Sequence, residues 1–294
     1  MSFTEATATA ALAAACRAVG LDTADASLIR IGSNAVFRLR APVIVRIARD
    51  SGAMGEARRQ IAVARWLENL DYPATRALPI DQPLNIDGHA ATFWESASEK
   101  VEYAPIGDVA SLICRLHRLP APTTFTLPTY QPFKSLNERL SALTAGDPED
   151  TEFLRTHAAR LRAEYDNLKF KLAAGPIHGD ANVGNVILSR EGRPVLIDLD
   201  SFAHGPREWD LVQTALFYER FGWHTEEEYR TFAEIYGFDI MQWPGYPVLA
   251  GYRELSMTLW LAGKAEQDVA AAAEVHKRVE AIRTNGDRRD WTPF

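Results

Sequence analysis

Asp180, Asn185 and Asp198 carry oxygen donors at a spacing of five and then thirteen residues. Carboxylate and amide oxygens are hard ligands. They suit Mg2+, which keeps several waters and shares the rest of its shell with phosphates. Two short apolar runs, 186–188 and 195–199, flank the turn Ser189-Arg190-Glu191-Gly192-Arg193. The turn is polar and holds a glycine, so the pair reads as a β-hairpin. Folding it would bring the loop before its first strand and Asp198 to the same side. His178-Gly179 stands directly before Asp180, and Gly205-Pro206 and then Asp210 follow the hairpin. Two unrelated surface acids on a hairpin loop would leave those flanking residues unexplained.

Protein kinases use an Asp, an Asn five residues later and an Asp behind a hairpin in this order. Here His-Gly-Asp replaces His-Arg-Asp, and Asp198-Leu199-Asp200 stands where those enzymes have Asp-Phe-Gly. That variant resembles the aminoglycoside phosphotransferase family, kinase-like enzymes that phosphorylate small hydroxylated molecules. The resemblance implies an α+β, bilobal protein-kinase-like fold. A small antiparallel-sheet lobe would take residues 1–97, and a mostly helical lobe would take 98–294. It implies that Asp180 accepts or orients the hydroxyl proton, that Asn185 and Asp198 hold the metal, and that His178 and Asp210 brace the loop. By residue type alone His178 would be the general base, since His is the commonest acid–base residue. The resemblance gives that part to the Asp two residues on.

The elements that must position these groups begin with a helix over residues 4–19. Residues 35–40 and 43–48 alternate as strands, with Ala41-Pro42 as the turn between them. Ile31-Gly32-Ser33-Asn34 precedes the first of these, small enough to let backbone N–H groups approach a phosphate. In the family a nucleotide loop sits here, which assigns Ser33 and Asn34 to it. The following strand offers Arg46 where relatives usually place a phosphate-steadying Lys. A guanidinium binds phosphate oxygens as a fork rather than as a point charge. Residues 54–70 form an amphipathic helix through Val63, Trp66, Leu67 and Leu70. Kinases pair the strand cation with a Glu on this helix. Here the slot holds Gln60, with Glu56 one turn earlier on the same face. Residues 72–79 are an extended connector. The strand at 90–95 brings Phe93 and Glu95 to the nucleotide site, and the hinge falls around Trp94–Ser98.

Beyond the hinge the chain is helical. A helix ends at Leu116-His117, where His117 packs or caps. Residues 120–134 read as a loop, and 150–173 as one long core helix. Asp210 opens a helix, as a cap and as support for the loop of Asp180. After Gly222 further helices carry the acceptor pocket, with Glu219, Asp239 and Glu254 facing a cationic substrate. Glu226-Glu227-Glu228 reads as a solvated helix start favoured by the dipole. Trp223, Trp243, Tyr246 and Trp260 divide between core and cleft.

At 47% hydrophobic residues the chain can bury a sizeable core, and its net charge of −7 argues against a nucleic-acid partner. Cys16 and Cys114 form no disulfide framework and suit a reducing cytoplasm. The Ala-rich start lacks a basic segment and is no signal peptide, and nothing reads as a membrane span. The expected activity is transfer of the γ-phosphate of ATP or GTP, with Mg2+, to a hydroxyl of a small molecule. The leading acceptor is an aminoglycoside or basic peptide antibiotic, which the enzyme would inactivate as a resistance factor, acting as a monomer or homodimer. A metabolic kinase of choline, an amino alcohol or a sugar is the same chemistry with another pocket. A protein kinase fits less well, because no long activation segment separates Asp198 from Asp210. A metallophosphoesterase would need more His and Asp ligands than the scattered histidines provide. A catalytically silent nucleotide-binding module is favoured by Gln60 and opposed by the intact Asp180, Asn185 and Asp198.

Overall fold

Alternating apolar residues build the first element that positions the site. In the computed structural model, which describes residues 3–40, 42–50, 52–143, 147–265 and 268–292, they form one antiparallel sheet. Its strands are β1 (Ser27–Ile31), β2 (Asn34–Arg38), β3 (Val43–Ala48), β4 (Leu84–Ile86) and β5 (His89–Glu95), in the order β1-β2-β3-β5-β4. Helix α1 (Glu5–Val19) starts where Thr4 accepts the Thr7 N–H and stops at Gly20, whose φ of 72° suits glycine. Its Ala8, Leu12, Ala15 and Cys16 pack into one core with Phe37, Val45, Ile47 and Phe93. Helix α2 (Met54–Asn69) buries Ala57, Ile61 and Ala64. The expected strand over 35–40 stops at Arg38, because the Leu39 N–H turns back to the Val43 carbonyl. Of the expected Ala41-Pro42 turn, Ala41 lies outside the described residues. β1 and β4 are short or exposed at the sheet's edges, and neither carries the alternation that would have announced it.

By its contacts the chain divides into two compact units. The first comprises Met1–Pro105, Pro122–Thr126 and Val183–Phe202. The second comprises Ile106–Ala121, Leu127–Asn182 and Ala203–Phe294. The expected hairpin belongs to the first unit. It pairs Val186 with Leu196, Ile187 with Val195 and Leu188 with Pro194.

The second unit is built from α3 (Ile106–Leu116), α4 (Pro132–Ala142), α5 (Pro148–Asp166), α6 (Val212–Glu219), α7 (Glu226–Tyr236), α8 (Tyr246–Ala262) and α9 (Val269–Thr284). A short antiparallel ladder, Gly175–Ile177 against Ala203–Gly205, ties the chain on either side of the Asp180 loop. Gly251 lets α8 lie close to α5, since a Cβ there would sit 3.1 Å from Leu161 Cδ2. A Thr225–Glu228 capping box starts α7, so of the three expected solvated acids Glu228 has a definite partner. No helix among the described residues is long and apolar enough to cross a membrane.

Two expected boundaries are corrected. The loop over 120–134 ends sooner, because Pro132 sits in the first turn of α4, where its missing N–H costs nothing. The long helix over 150–173 stops at Asp166, and Asn167 caps it. Past that point the backbone leaves the helical ladder for side-chain partners. Glu208, fully buried, accepts the N–H groups of Lys171 and Leu172, and Trp243 donates its indole N–H to the Lys169 carbonyl. The heptad positions Leu168 and Leu172 are therefore not on a helix.

β5 depends on a side chain that stands in for backbone. β4 begins only at Leu84, opposite Ala91. Two residues further along β5, Phe93 meets the Gln82 amide instead. Its N–H donates to Gln82 Oε1 at 2.7 Å, while Gln82 Nε2 donates to the carbonyls of Leu78 and Phe93. Gln82→Ala leaves the buried Phe93 N–H unpaired and is expected to lower stability by about 1–3 kcal/mol, measured by urea denaturation.

Candidate active site

In the first unit a cavity of about 370 Å³ opens beneath the β1–β2 turn. Its floor is Ala48, Ala53, Ala57 and Ala90, and those small side chains leave the room. Its rim is polar, with Ser33 and Asn34 from the turn, Glu56 and Gln60 from α2, Thr92 from β5, and Asp200. Four of the residues expected at a nucleotide site thus share one cavity. Gly32 is not one of its N–H donors, because that group is spent on the Asn34 carbonyl.

Arg46 sits opposite Thr92 in the β3–β5 register, on the same face of the sheet. The carboxylate it meets is neither Glu56 nor a contact replaced by Gln60. Its Nη2 donates to both oxygens of Asp200, at 2.8 and 2.6 Å, and lies 4.0 Å from Asp198. Both partners are mostly shielded from water, which makes this pair stronger than a surface one. Asp200 is the third residue of Asp-Leu-Asp. Nothing in its spacing announced a cation on a strand 154 positions earlier.

The hairpin register sets Asn185 and Asp198 at one end of the same two strands. The Ile197 N–H donates to the Asn185 carbonyl at 2.9 Å. Asp198 adopts φ 60° and ψ 70°, a left-handed conformation that Asp tolerates better than most residues. Among the described residues no group of three or more His, Cys, Asp and Glu side chains gathers to hold a metal. Asn185 and Asp198 carry an amide and a carboxylate oxygen, the donor types a hard cation takes when phosphates and water complete its shell.

Phe93 is corrected. Its side chain is fully buried in the sheet's core and cannot line a nucleotide site. Glu95 stands exposed at the end of β5, and its N–H donates to the Arg76 carbonyl.

In the second unit the loop of Asp180 is built around Asp210. This residue is 1% exposed and ends a short 3-10 turn, Arg207–Asp210, ahead of α6. It is not the helix cap expected of it, since α6 starts with no side-chain cap bond. Its carboxylate faces the loop instead. It accepts the N–H of His178 at 2.6 Å, the N–H of Gly179 at 2.8 Å and Nε2–H of His117 at 3.0 Å. The Tyr236 hydroxyl lies 2.7 Å from the other nitrogen of His117 and fixes that ring. Gly179 takes φ 85°, which allows two consecutive N–H groups to converge on one carboxylate. Burial alone would raise the Asp210 pKa. The hydrogen bond from His117, the neighbouring imidazole charges and the His178 amide outweigh it, and the carboxyl lies below the ordinary aspartate value. The Asp180 side chain is 44% exposed, and its Oδ1 receives Arg253 at 2.9 Å.

The expected acceptor residues are placed as follows. Glu219 accepts the Tyr246 hydroxyl at 2.7 Å and is 39% exposed. Asp239 accepts the Tyr229 hydroxyl and the Met241 N–H. Glu254 is 2% exposed, with one oxygen on Arg220 at 2.7 Å and the other on Arg288 at 2.8 Å. Trp243 and Tyr246 are buried, whereas Trp260 is exposed and stacks under Lys264.

A family model described as the phosphotransferase enzyme family matches residues 26–252. No curated protein matches the chain. Similar solved structures include an amicoumacin kinase in complex with AMP-PNP and Ca2+, with TM-score 0.72, 12% identity and 98% of each chain covered. An aminoglycoside phosphotransferase from Streptomyces rimosus gives TM-score 0.63 and 18% identity over 84% of this chain and 98% of that one. A choline kinase from Streptococcus pneumoniae gives 0.59 and 17% over 88% and 93%. At these identities the likeness shows the fold, a small antiparallel sheet followed by a mostly helical remainder.

Because Asp210 titrates lower folded than unfolded, its contribution is present above the ordinary aspartate pKa and is lost as pH falls through the folded value. Asp210→Asn should cost about 1–3 kcal/mol at neutral pH. Denaturant midpoints taken on acidification below about pH 4 should show that gap narrowing. A gap that stays constant with pH would rule out the buried charge as its source.

Proposed function

The chain belongs to the phosphotransferase enzyme family, and from that premise we propose that it transfers the γ-phosphate of ATP to a hydroxyl of an aminoglycoside or basic peptide antibiotic. It is a phosphotransferase enzyme of small molecules. The observation that carries the finer reading is the Asp180 loop, whose backbone is fixed by Asp210 while the Asp180 carboxylate remains half exposed.

On this reading Asp180 accepts or orients the acceptor hydroxyl proton late in a loose transition state. Arg46, held by Asp200, offers its guanidinium to phosphate oxygens, and Asp200 lines the cavity together with Ser33, Asn34, Glu56 and Gln60. Asn185 and Asp198 are the oxygen donors that fit Mg2+, and when bound that ion supplies charge neutralisation across the transferring phosphate. Glu219 and Asp239 are the acids proposed for a cationic acceptor. Glu254 is left out, since two arginines occupy it. The structures of an amicoumacin kinase and an aminoglycoside phosphotransferase support the antibiotic class, and the net charge of −7 suits a cationic acceptor. The choline kinase likeness supports a second reading, a metabolic kinase of an amino alcohol. Residues 1–97 would form the nucleotide lobe and 98–294 the acceptor lobe of a cytoplasmic enzyme.

A coupled ATP-turnover screen with amicoumacin, kanamycin and choline should give saturable turnover with one of the antibiotics. Choline turnover alone would select the second reading. Asp180→Ala should lose about 10²–10⁴-fold in kcat while ATP still binds by calorimetry. Near-normal turnover in that variant would remove Asp180 from the mechanism.

A further inference from the structure

Asp180 lies on a loop, and a half-exposed carboxylate on a loop ordinarily samples several rotamers. Here one does not have that freedom. Arg253, on α8, donates from Nη2 to Asp180 Oδ1 at 2.9 Å, and its side chain is 12% exposed. The guanidinium is itself held from two further directions. Its Nη2 also donates to Gln213 Oε1 on α6. Its plane lies over the Trp209 ring, 5.0 Å from the centroid. Trp209 is 1% exposed and donates its indole N–H to the Gly179 carbonyl at 2.8 Å. One buried indole therefore fixes both the backbone just before Asp180 and the cation that holds its carboxylate.

We propose that Arg253 is a positioning residue for phosphoryl transfer, aiming the Asp180 carboxylate at the acceptor hydroxyl. The proposal rests on the reading of Asp180 as the group that takes or orients the hydroxyl proton. Arginine suits the post because a planar fork can stack on an indole and donate to two acceptors at once, which an ammonium on a flexible stem does less well. Placement matters more than charge here. A misplacement of about 1 Å in a reacting group can cost about 10²-fold in rate, and the bond to Oδ1 sets where the other oxygen points.

The test is a double-mutant cycle on the full chain. It reads kcat and the KM for ATP with kanamycin, amicoumacin or choline as acceptor, or with water where none of these is turned over. Arg253→Met keeps the aliphatic stem over Trp209 and removes the fork. It should lower kcat by about 10–10²-fold with the KM for ATP unchanged, and Arg253→Lys should recover part of the loss. In an Asp180→Asn background Arg253→Met should cost nothing further, because its effect passes through Asp180. Gln213→Leu removes the other anchor of Arg253 without touching Asp180. It should show a smaller loss with the same dependence on Asp180, and it carries the test if Arg253→Met does not fold. Wild-type kcat in Arg253→Met, or an equal loss in both backgrounds, would overturn the proposal. Wild-type turnover in Asp180→Asn would instead overturn the reading of Asp180 itself.

Discussion

A carboxylate with almost no access to water must be answered by donors, and Asp210 imposes that condition on everything around it. A buried ion without partners costs several kcal/mol, more than most single contacts can return. Here the partners are two successive backbone N–H groups of the neighbouring loop and one imidazole N–H. The loop can present both amides only because Gly179 adopts a left-handed conformation. Its shape is therefore a consequence of satisfying a charge. The tyrosine behind His117 and the tryptophan next to Asp210 in the chain extend the same solution outward. What leaves this network half exposed is the Asp180 side chain.

The first unit solves a parallel problem with different parts. The Arg46 side chain is 14% exposed, and a guanidinium so shielded from water needs a partner. Asp200 meets it from the residues that follow the hairpin, and Asp198 lies near the same cation. The helix that most kinases use for this pairing contributes Glu56 and Gln60 to the cavity rim instead. The ion pair has moved from the helix to the segment beside the proposed metal ligands. Occupancy of the cation and placement of those ligands are thereby linked within one short stretch of chain.

Much of this was legible from residue order, and the parts that were not share a physical cause. The hairpin, the sheet strands with strong alternation, α1 and α2 all follow from local periodicity and turn chemistry. The grouping of Ser33, Asn34, Glu56 and Gln60 followed from the family pattern. β1 and β4 leave no local signal because one is an exposed edge and the other is three residues long. The helix over 150–173 was overextended because its heptad spacing continues past the point where Glu208 and Trp243 capture the backbone. Phe93 was misplaced because alternation does not say which face of a strand meets the helix behind it. Arg253 and Gln213 are not legible in the sequence at all: Arg253 reaches Asp180, and Gln213 reaches Arg253, from far along the chain, through contacts that no short motif records.

Arg253 and Glu254 are consecutive, and they face different tasks. Glu254 holds Arg288, which also bonds Asn285 and the Gly286 carbonyl just past α9. The register of α8 is thus anchored, one residue from the arginine that touches Asp180, to the segment that follows α9. Substitutions over residues 285–288 are therefore not neutral choices. A label placed there pulls on a tether whose far end adjoins the Asp180 loop.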